Sequence, residues 1–192
     1  MRGKTALTLI IVTLLAATSA RAQESSQNPE TSRSAADGGR FRFGINGTAG
    51  LESVSASGAS ISGVMYGLDL RLGWQFSHLL AIYAQPHLSF GSLGSGKGSV
   101  GVSGFTGTFL GTIMGEATFL DRFFAGAGLG YGVFNNPSGL ALDLKAGGYP
   151  LMGHGANGIR RKGLMVGLDF RTVFLSGYTG LLIMGCVGYE SF

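Results

Sequence analysis

Residues 63–77, with the sequence GVMYGLDLRLGWQFS, alternate between apolar and small or polar side chains along their whole length. One parity is apolar from Val64 to Phe76, and the other is mostly glycine and polar residues, among them Asp69 and Arg71. Successive side chains of a β-strand point to opposite faces, so a period of two predicts a strand. One face of this strand is apolar throughout and the other holds an acid and a base. The fold therefore depends on which face is exposed to solvent, and on whether that solvent is water or lipid.

The same alternation recurs from Arg40 to the end of the chain. Seven further segments show it: residues 41–54, 79–93, 105–119, 123–133, 140–149, 164–175 and 181–192. With residues 63–77 they predict eight strands, and about 9–11 residues are enough for a tilted strand to cross a bilayer. Pro86 falls inside one of them and cannot donate a ladder hydrogen bond, which predicts a local bulge there.

The connections between the segments indicate the topology. Residues 77–78 and 120–122 are short turns, whereas 55–60 and 93–101 are longer and rich in Gly and Ser. Short turns that alternate with longer loops are typical of an up-and-down barrel with both chain ends on the periplasmic side. The long connection over 152–162 breaks this alternation, because the strand count places it among the turns.

The composition favours lipid as the solvent of the apolar face. Only 12% of the residues are charged, against about 25% in soluble domains. A membrane-spanning sheet must close, because lipid cannot satisfy an open strand edge, and its apolar face then points outward. The sequence therefore predicts an all-β domain over residues 40–192, an eight-stranded antiparallel up-and-down transmembrane β-barrel. The alternative is a soluble lipocalin-like periplasmic binder with the apolar face inside. Interfacial girdles would be formed by Phe41, Trp74, Phe76, Phe90, Phe119, Phe123 and Tyr189.

The first 39 residues are of a different kind. A basic start, an apolar stretch and a small-x-small site at residues 20–22 predict a signal peptide over 1–22, cleaved on export to the outer membrane. Residues 23–39 are polar without a period, which predicts a flexible leader. Three of the 14 basic residues lie in the signal peptide, so the mature chain is nearly neutral and nucleic acid is not a predicted partner. Cys186 is the single cysteine, which excludes an internal disulfide.

At the level of pattern, the chain resembles the small eight-stranded outer-membrane barrels, the OmpA transmembrane domain and the OmpX-like group. The resemblance rests on the signal peptide, the eight alternating segments and the C-terminal Phe192. It implies a monomer in the outer membrane of a Gram-negative envelope, surrounded by lipid and lipopolysaccharide. It also implies that the barrel-insertion machinery recognises Phe192 as an insertion signal. Glu190 stands where such chains usually carry an aromatic residue, with Tyr189 one position away, and a bulge near the end would restore the phase.

Three similar segments suggest ion pairs inside the barrel. GLDLR (67–71), ALDLK (141–145) and GLDFR (167–171) each place an acid and a base two residues apart, hence on one face of a strand. Buried charges need partners, and the interior of eight strands is narrow enough to be filled by side chains. We predict an interior plugged by an ion-pair network, with Arg42 as a further possible partner. Its members are Asp69, Arg71, Glu116, Asp143, Lys145, Asp169 and Arg171. The alternative is a small-solute pore lined by the same residues.

His87 and Ser89 share a face, and Glu116 lies in the next strand. A base, a hydroxyl and a carboxylate are the parts of a hydrolytic triad, so a lipid-A-modifying hydrolase is an alternative function. The parity points His87 inward, away from lipid, which favours a hydrogen-bonded interior histidine and no catalytic residue. No ligand spacing predicts a metal or cofactor site.

The basic run IRRK (159–162) would bind lipopolysaccharide phosphates if it lay outside the cell and would be a solvated turn if it lay in the periplasm. The predicted function is non-enzymatic, with a structural or surface-interaction role.

Overall fold

A computed structural model describes residues 39–56, 59–97, 104–134, 137–154 and 161–192. The predicted signal peptide and all of the predicted leader except Gly39 lie outside these residues. No helix in the described part of the chain is long and apolar enough to cross a membrane.

Eight strands form one closed sheet. Each strand pairs antiparallel with the next, and β1 also pairs with β8, so no edge is left open. The predicted closed, antiparallel, up-and-down barrel is thereby confirmed. The strands are β1 (Arg40–Ala56), β2 (Ala59–Gln75), β3 (Leu80–Lys97), β4 (Gly104–Phe119), β5 (Phe123–Phe134), β6 (Ser138–His154), β7 (Arg161–Leu175) and β8 (Tyr178–Ser191).

The two ends of the barrel are named here after the parts of the chain that lie at each. We call the end at which β1 begins and β8 ends the termini end, and the opposite end the hairpin end. The connection from β6 to β7 lies at the termini end, as the strand count predicts.

At the hairpin end the predicted loop 55–60 is mostly strand. The ladder between β1 and β2 continues to Ala56 and Ala59, because small Ser and Ala residues pair as readily as the apolar ones before them.

Alternation along each strand sorts the side chains into two faces. The outer face is apolar along the barrel wall, and the predicted girdle residues lie on it, exposed or, in the case of Phe123, half-exposed. Away from the strand ends, the acids and bases of the strands point inward and are buried. This arrangement contradicts the lipocalin-like alternative, which needs the polar face outside.

Two predicted bulges are absent. At Pro86 the ladder between β2 and β3 stops after Asp69 and His87 and resumes at Leu72 and Ala84 in the same register. The proline removes a donor without inserting an extra residue. The register of β8 with both neighbours also continues through Glu190 and Ser191. The register shifts instead lie in the ladder between β2 and β3, at Ser62/Gly63, and in the ladder between β6 and β7, at Gly148/Leu151.

Candidate functional site

The interior near the termini end holds four fully buried charges, which we call the terminal cluster: Arg42, Arg71, Glu116 and Glu190. Nη2 of Arg42 lies 2.5 Å from Oε1 of Glu116 and 2.7 Å from Oε2 of Glu190. Nη1 of Arg71 also pairs with Glu190 and lies 3.3 Å from Oε2 of Glu116. Each carboxylate therefore bridges both guanidinium groups, and the cluster is neutral.

Aromatic side chains enclose the terminal cluster. The Tyr83 hydroxyl donates to Glu116 at 2.8 Å, and the Tyr149 hydroxyl donates to Glu190 at 2.7 Å. The guanidinium carbon of Arg42 lies 4.7 Å from the ring centroid of Phe192, within the range of a cation–π interaction. The Phe192 side chain is therefore buried inside the barrel, packed against Tyr149. Its role as an insertion signal stays a prediction.

Replacing Tyr149 with phenylalanine is expected to lower the free energy of unfolding by about 1.5–3 kcal/mol, the usual contribution of a hydrogen bond to a charged group. The lost hydroxyl donates to Glu190 and accepts from Arg42 Nη2 at 2.6 Å. Urea titration of the folded barrel measures the change. Tyr131→Phe is the matched control, because the Tyr131 hydroxyl bonds to Ser138 at an exposed position. Equal midpoints for the two variants would contradict a structural role for the terminal cluster.

Six further residues form a central cluster: Asp69, His87, Asp143, Lys145, Asp169 and Arg171. Asp69 accepts a hydrogen bond from Arg171 Nη2 at 3.0 Å and lies 3.2 Å from Lys145 Nζ. Arg171 also reaches Asp143 at 3.1 Å and Asp169 at 2.6 Å. The strand register explains part of this arrangement. On β6 and β7, Asp143 stands opposite Arg171 and Lys145 opposite Asp169, so two similar segments face each other with charges reversed.

Gln85 joins the two clusters. Its Oε1 accepts from Arg71 Nε at 3.1 Å, and its Nε2 donates to Asp143 at 3.2 Å. The structure thus places all seven predicted network residues in the interior, but in two groups. Arg71 and Glu116 belong to the terminal cluster and the other five to the central cluster. The sequence prediction missed Glu190, Gln85, Tyr83 and Tyr149 as partners. Their inward parity was the available signal.

Near the hairpin end the interior is apolar, so the predicted polar side chains occupy only part of it. We call this part the apolar layer. Glu52 is the buried acid beside it, and one of its oxygens lies 3.4 Å from the Thr108 hydroxyl. On β8 both faces are apolar here, with Leu182 and Met184 inside and Ile183 outside, so burial of apolar area takes the place of ion pairs. The layer consists of Val54, Ile61, Met65, Leu93, Leu110, Phe134, Ala141, Val173, Leu175, Leu182 and Met184.

The candidate hydrolytic residues do not come together. His87 and Ser89 are buried in the interior, and His87 Nδ1 lies 2.6 Å from Oδ1 of Asp69. Glu116 is held by the arginines of the terminal cluster. The triad expected as an alternative is therefore not assembled. Over the described ranges, no group of three or more His, Cys, Asp and Glu residues could hold a metal ion.

Several buried polar atoms beside the central cluster have no partner among the described protein atoms. They include both amide atoms of Asn46, the hydroxyls of Thr48 and Ser89, and Nε2 of His87. A Cβ atom at Gly67 would lie 2.8 Å from both Thr48 Oγ1 and His87 Cε1, so the glycine lets these side chains approach. Buried polar groups normally bond to protein or to ordered water. Internal waters are therefore expected along this wall of β1 to β3.

Solved structures share this closed antiparallel architecture. Ail, the attachment invasion locus protein of Yersinia pestis, in complex with the heparin analogue sucrose octasulfate, matches with a TM-score of 0.57 at 14% identity, over 80% of this chain and 99% of that one. The fold is that of the small eight-stranded outer-membrane β-barrels. Neisserial surface protein A also matches, at 14% identity and a TM-score of 0.44, over 79% of this chain and 97% of that one. OprG, an outer membrane protein of Pseudomonas aeruginosa, matches at 10% identity and a TM-score of 0.40, over 80% and 95%.

Of these three proteins Ail has the highest TM-score, and at 14% identity its similarity to this chain extends to the fold alone. No family model and no curated protein sequence matches the chain.

Proposed function

We propose that the chain is a non-enzymatic outer-membrane β-barrel protein of a Gram-negative envelope, with a structural or surface-interaction role and an interior closed to solutes. One observation carries this proposal. The sheet is closed, with an apolar outer face and its buried acids and bases inside. Water would favour the opposite arrangement, whereas lipid favours this one, because it cannot satisfy an open edge or an exposed charge. Outer-membrane lipid and lipopolysaccharide are the proposed surroundings of a monomer.

The deciding experiment is an SDS gel of the outer-membrane fraction, with boiled and unboiled samples side by side. A closed lipid-facing barrel resists SDS until it is heated, so the unboiled band is expected to migrate differently from the boiled one. A protein found soluble in the periplasm, with a single mobility, would overturn the proposal.

Three filled layers support a closed interior. The terminal cluster, the central cluster and the apolar layer follow one another from the termini end to the hairpin end, and their side chains are almost fully buried. An eight-stranded barrel leaves little further room. In planar bilayers in molar KCl, the purified barrel is expected to give no unitary current steps. Reproducible steps in the range of tens of picosiemens would favour the small-solute pore instead.

A hydrolytic function is not supported by the geometry, since His87 and Ser89 lie inside and apart from Glu116. The mass spectrum of lipid A is therefore expected to be unchanged when the protein is overproduced. A new, lighter lipid A species that disappears in the Ser89→Ala variant would restore the hydrolase.

The charge of the hairpin end is relevant to a surface-interaction role. Ail was crystallised with a sulfated heparin analogue, and such polyanions require basic side chains. In this sequence the hairpin-end connections, together with the adjoining strand ends, carry one charged residue, Lys97, among Ser, Gly, Asn and Thr. We therefore do not extend polyanion binding to this chain, and the structural role is the better supported of the two.

A further inference from the structure

Charges outside the barrel interior gather at the termini end. Arg122 follows β4 in an exposed turn, and Lys162 is exposed on β7 next to the start of that strand. Half-buried Arg161 precedes Lys162, and its Nη1 lies 2.9 Å from Oδ1 of Asp121, the residue before Arg122. Of these four charged residues, three are basic and one is acidic. We call the group formed by Arg122, Arg161 and Lys162 the basic rim.

The basic rim borders the apolar outer face directly. Arg122 lies in the turn between exposed Leu120 and half-exposed Phe123, and the Phe123 ring stacks on Phe119 with centroids 6.1 Å apart. Lys162 pairs with Ser191 in the ladder, two residues beyond the exposed Tyr189 on β8. Basic side chains beside aromatic ones are typical of the level of lipid headgroups, where a long stem lies along apolar surface and the charge reaches a phosphate. A soluble acidic partner would not require this apolar border.

From this arrangement we infer that the basic rim binds the phosphate groups of anionic phospholipids in the leaflet that surrounds the termini end. The inference rests on the proposed membrane-spanning function. Each basic residue near an anionic surface strengthens the attraction, and salt screens it. The hairpin end has an apolar border too, but in sequence it carries a single basic residue, Lys97. The two ends are thus expected to differ in their preference for anionic lipid.

The chain offers a direct reporter, because it contains one tryptophan, Trp74. In a Trp74→Phe background, Tyr189→Trp places the single fluorophore beside Lys162, and Phe90→Trp places it on the outer face toward the hairpin end. Each barrel is folded into vesicles of phosphatidylcholine mixed with phosphatidylglycerol. Bromine is carried on the chains of one lipid or the other, and quenching by each lipid gives its relative affinity at the reporter.

At the Tyr189→Trp reporter, phosphatidylglycerol is expected to bind about threefold more strongly than phosphatidylcholine at low salt. At the Phe90→Trp reporter the two lipids are expected to bind equally. The preference should disappear with Arg161→Gln combined with Lys162→Gln, and it should survive the matched control Lys97→Gln. A preference equal at both ends, absent at both, or retained without Arg161 and Lys162 would overturn the inference. Absence of quenching by either brominated lipid would instead overturn the proposed membrane-spanning function.

Discussion

Replacing Glu190 with glutamine is expected to lower the free energy of unfolding by about 3–5 kcal/mol, the usual cost of removing one partner from a buried ion pair. Glu190 is fully buried and pairs with both Arg42 and Arg71. In the variant, Glu116 alone faces two guanidinium groups. The amide keeps the size of the side chain, so the change reports on charge rather than on packing. Urea titration in detergent micelles or lipid vesicles, read as the folded fraction on unboiled SDS gels, gives the difference.

Asp121→Asn is the matched control for Glu190→Gln. It also removes one carboxylate from an ion pair with an arginine, but the Asp121 side chain is 65% exposed. Exposed pairs contribute about 0–1 kcal/mol, so the midpoint of this variant should stay close to that of the unmodified chain. If Glu190→Gln proved as mild as Asp121→Asn, the terminal cluster would not be a determinant of stability.

The second large effect is expected on the outer face. Leu168 lies at the middle of β7 and is 67% exposed. An arginine at the bilayer midplane costs a transmembrane barrel about 2–4 kcal/mol, so Leu168→Arg should fold less stably into vesicles. In a water-soluble barrel the same substitution would be nearly neutral, because an exposed charge is well solvated. Urea titration in vesicles therefore tests directly which solvent the outer face meets.

Leu120→Arg serves as the control for Leu168→Arg. Leu120 is 81% exposed in the turn at the termini end, where an added charge reaches the interface and costs about 0–1 kcal/mol. The contrast between the two positions is the informative quantity. Equal effects at Leu168 and Leu120 would count against a lipid-facing barrel.

The strands and their faces could be predicted from sequence because alternation is a local property. In residues 63–77 one parity is apolar throughout, and that parity is the outer face in the structure. Alternation does not predict strands or their faces where the residues of both parities are apolar or both are small. Residues 55–60 are Ser, Ala and Gly, and residues 55, 56, 59 and 60 extend the ladder of β1 and β2 where a loop was predicted. The apolar layer was missed for the related reason that a strand end with two apolar faces does not reveal which one is buried.

Parity also placed the charges inside, but it could not give their partners. Asp69 on β2 bonds to Arg171 on β7, strands that are not neighbours in the sheet. Such a contact depends on how the closed sheet brings opposite walls together, which no single segment encodes. Glu190 shows the limit of pattern matching at the chain end. In the sequence it departs from the aromatic residue expected at that position. In the structure its carboxylate forms ion pairs with both Arg42 and Arg71.

The position of Glu190 on the last strand has a consequence for the order of assembly. Its two basic partners lie on β1 and β2, which the ribosome makes first. A sheet that still lacks β8 holds two guanidinium groups against the single carboxylate of Glu116. Arrival of β8 beside β1 supplies the missing negative charge in the same step that joins the seam. A sheet without β8 is therefore electrostatically unbalanced at the terminal cluster, and β8 brings the charge balance and the closing ladder together.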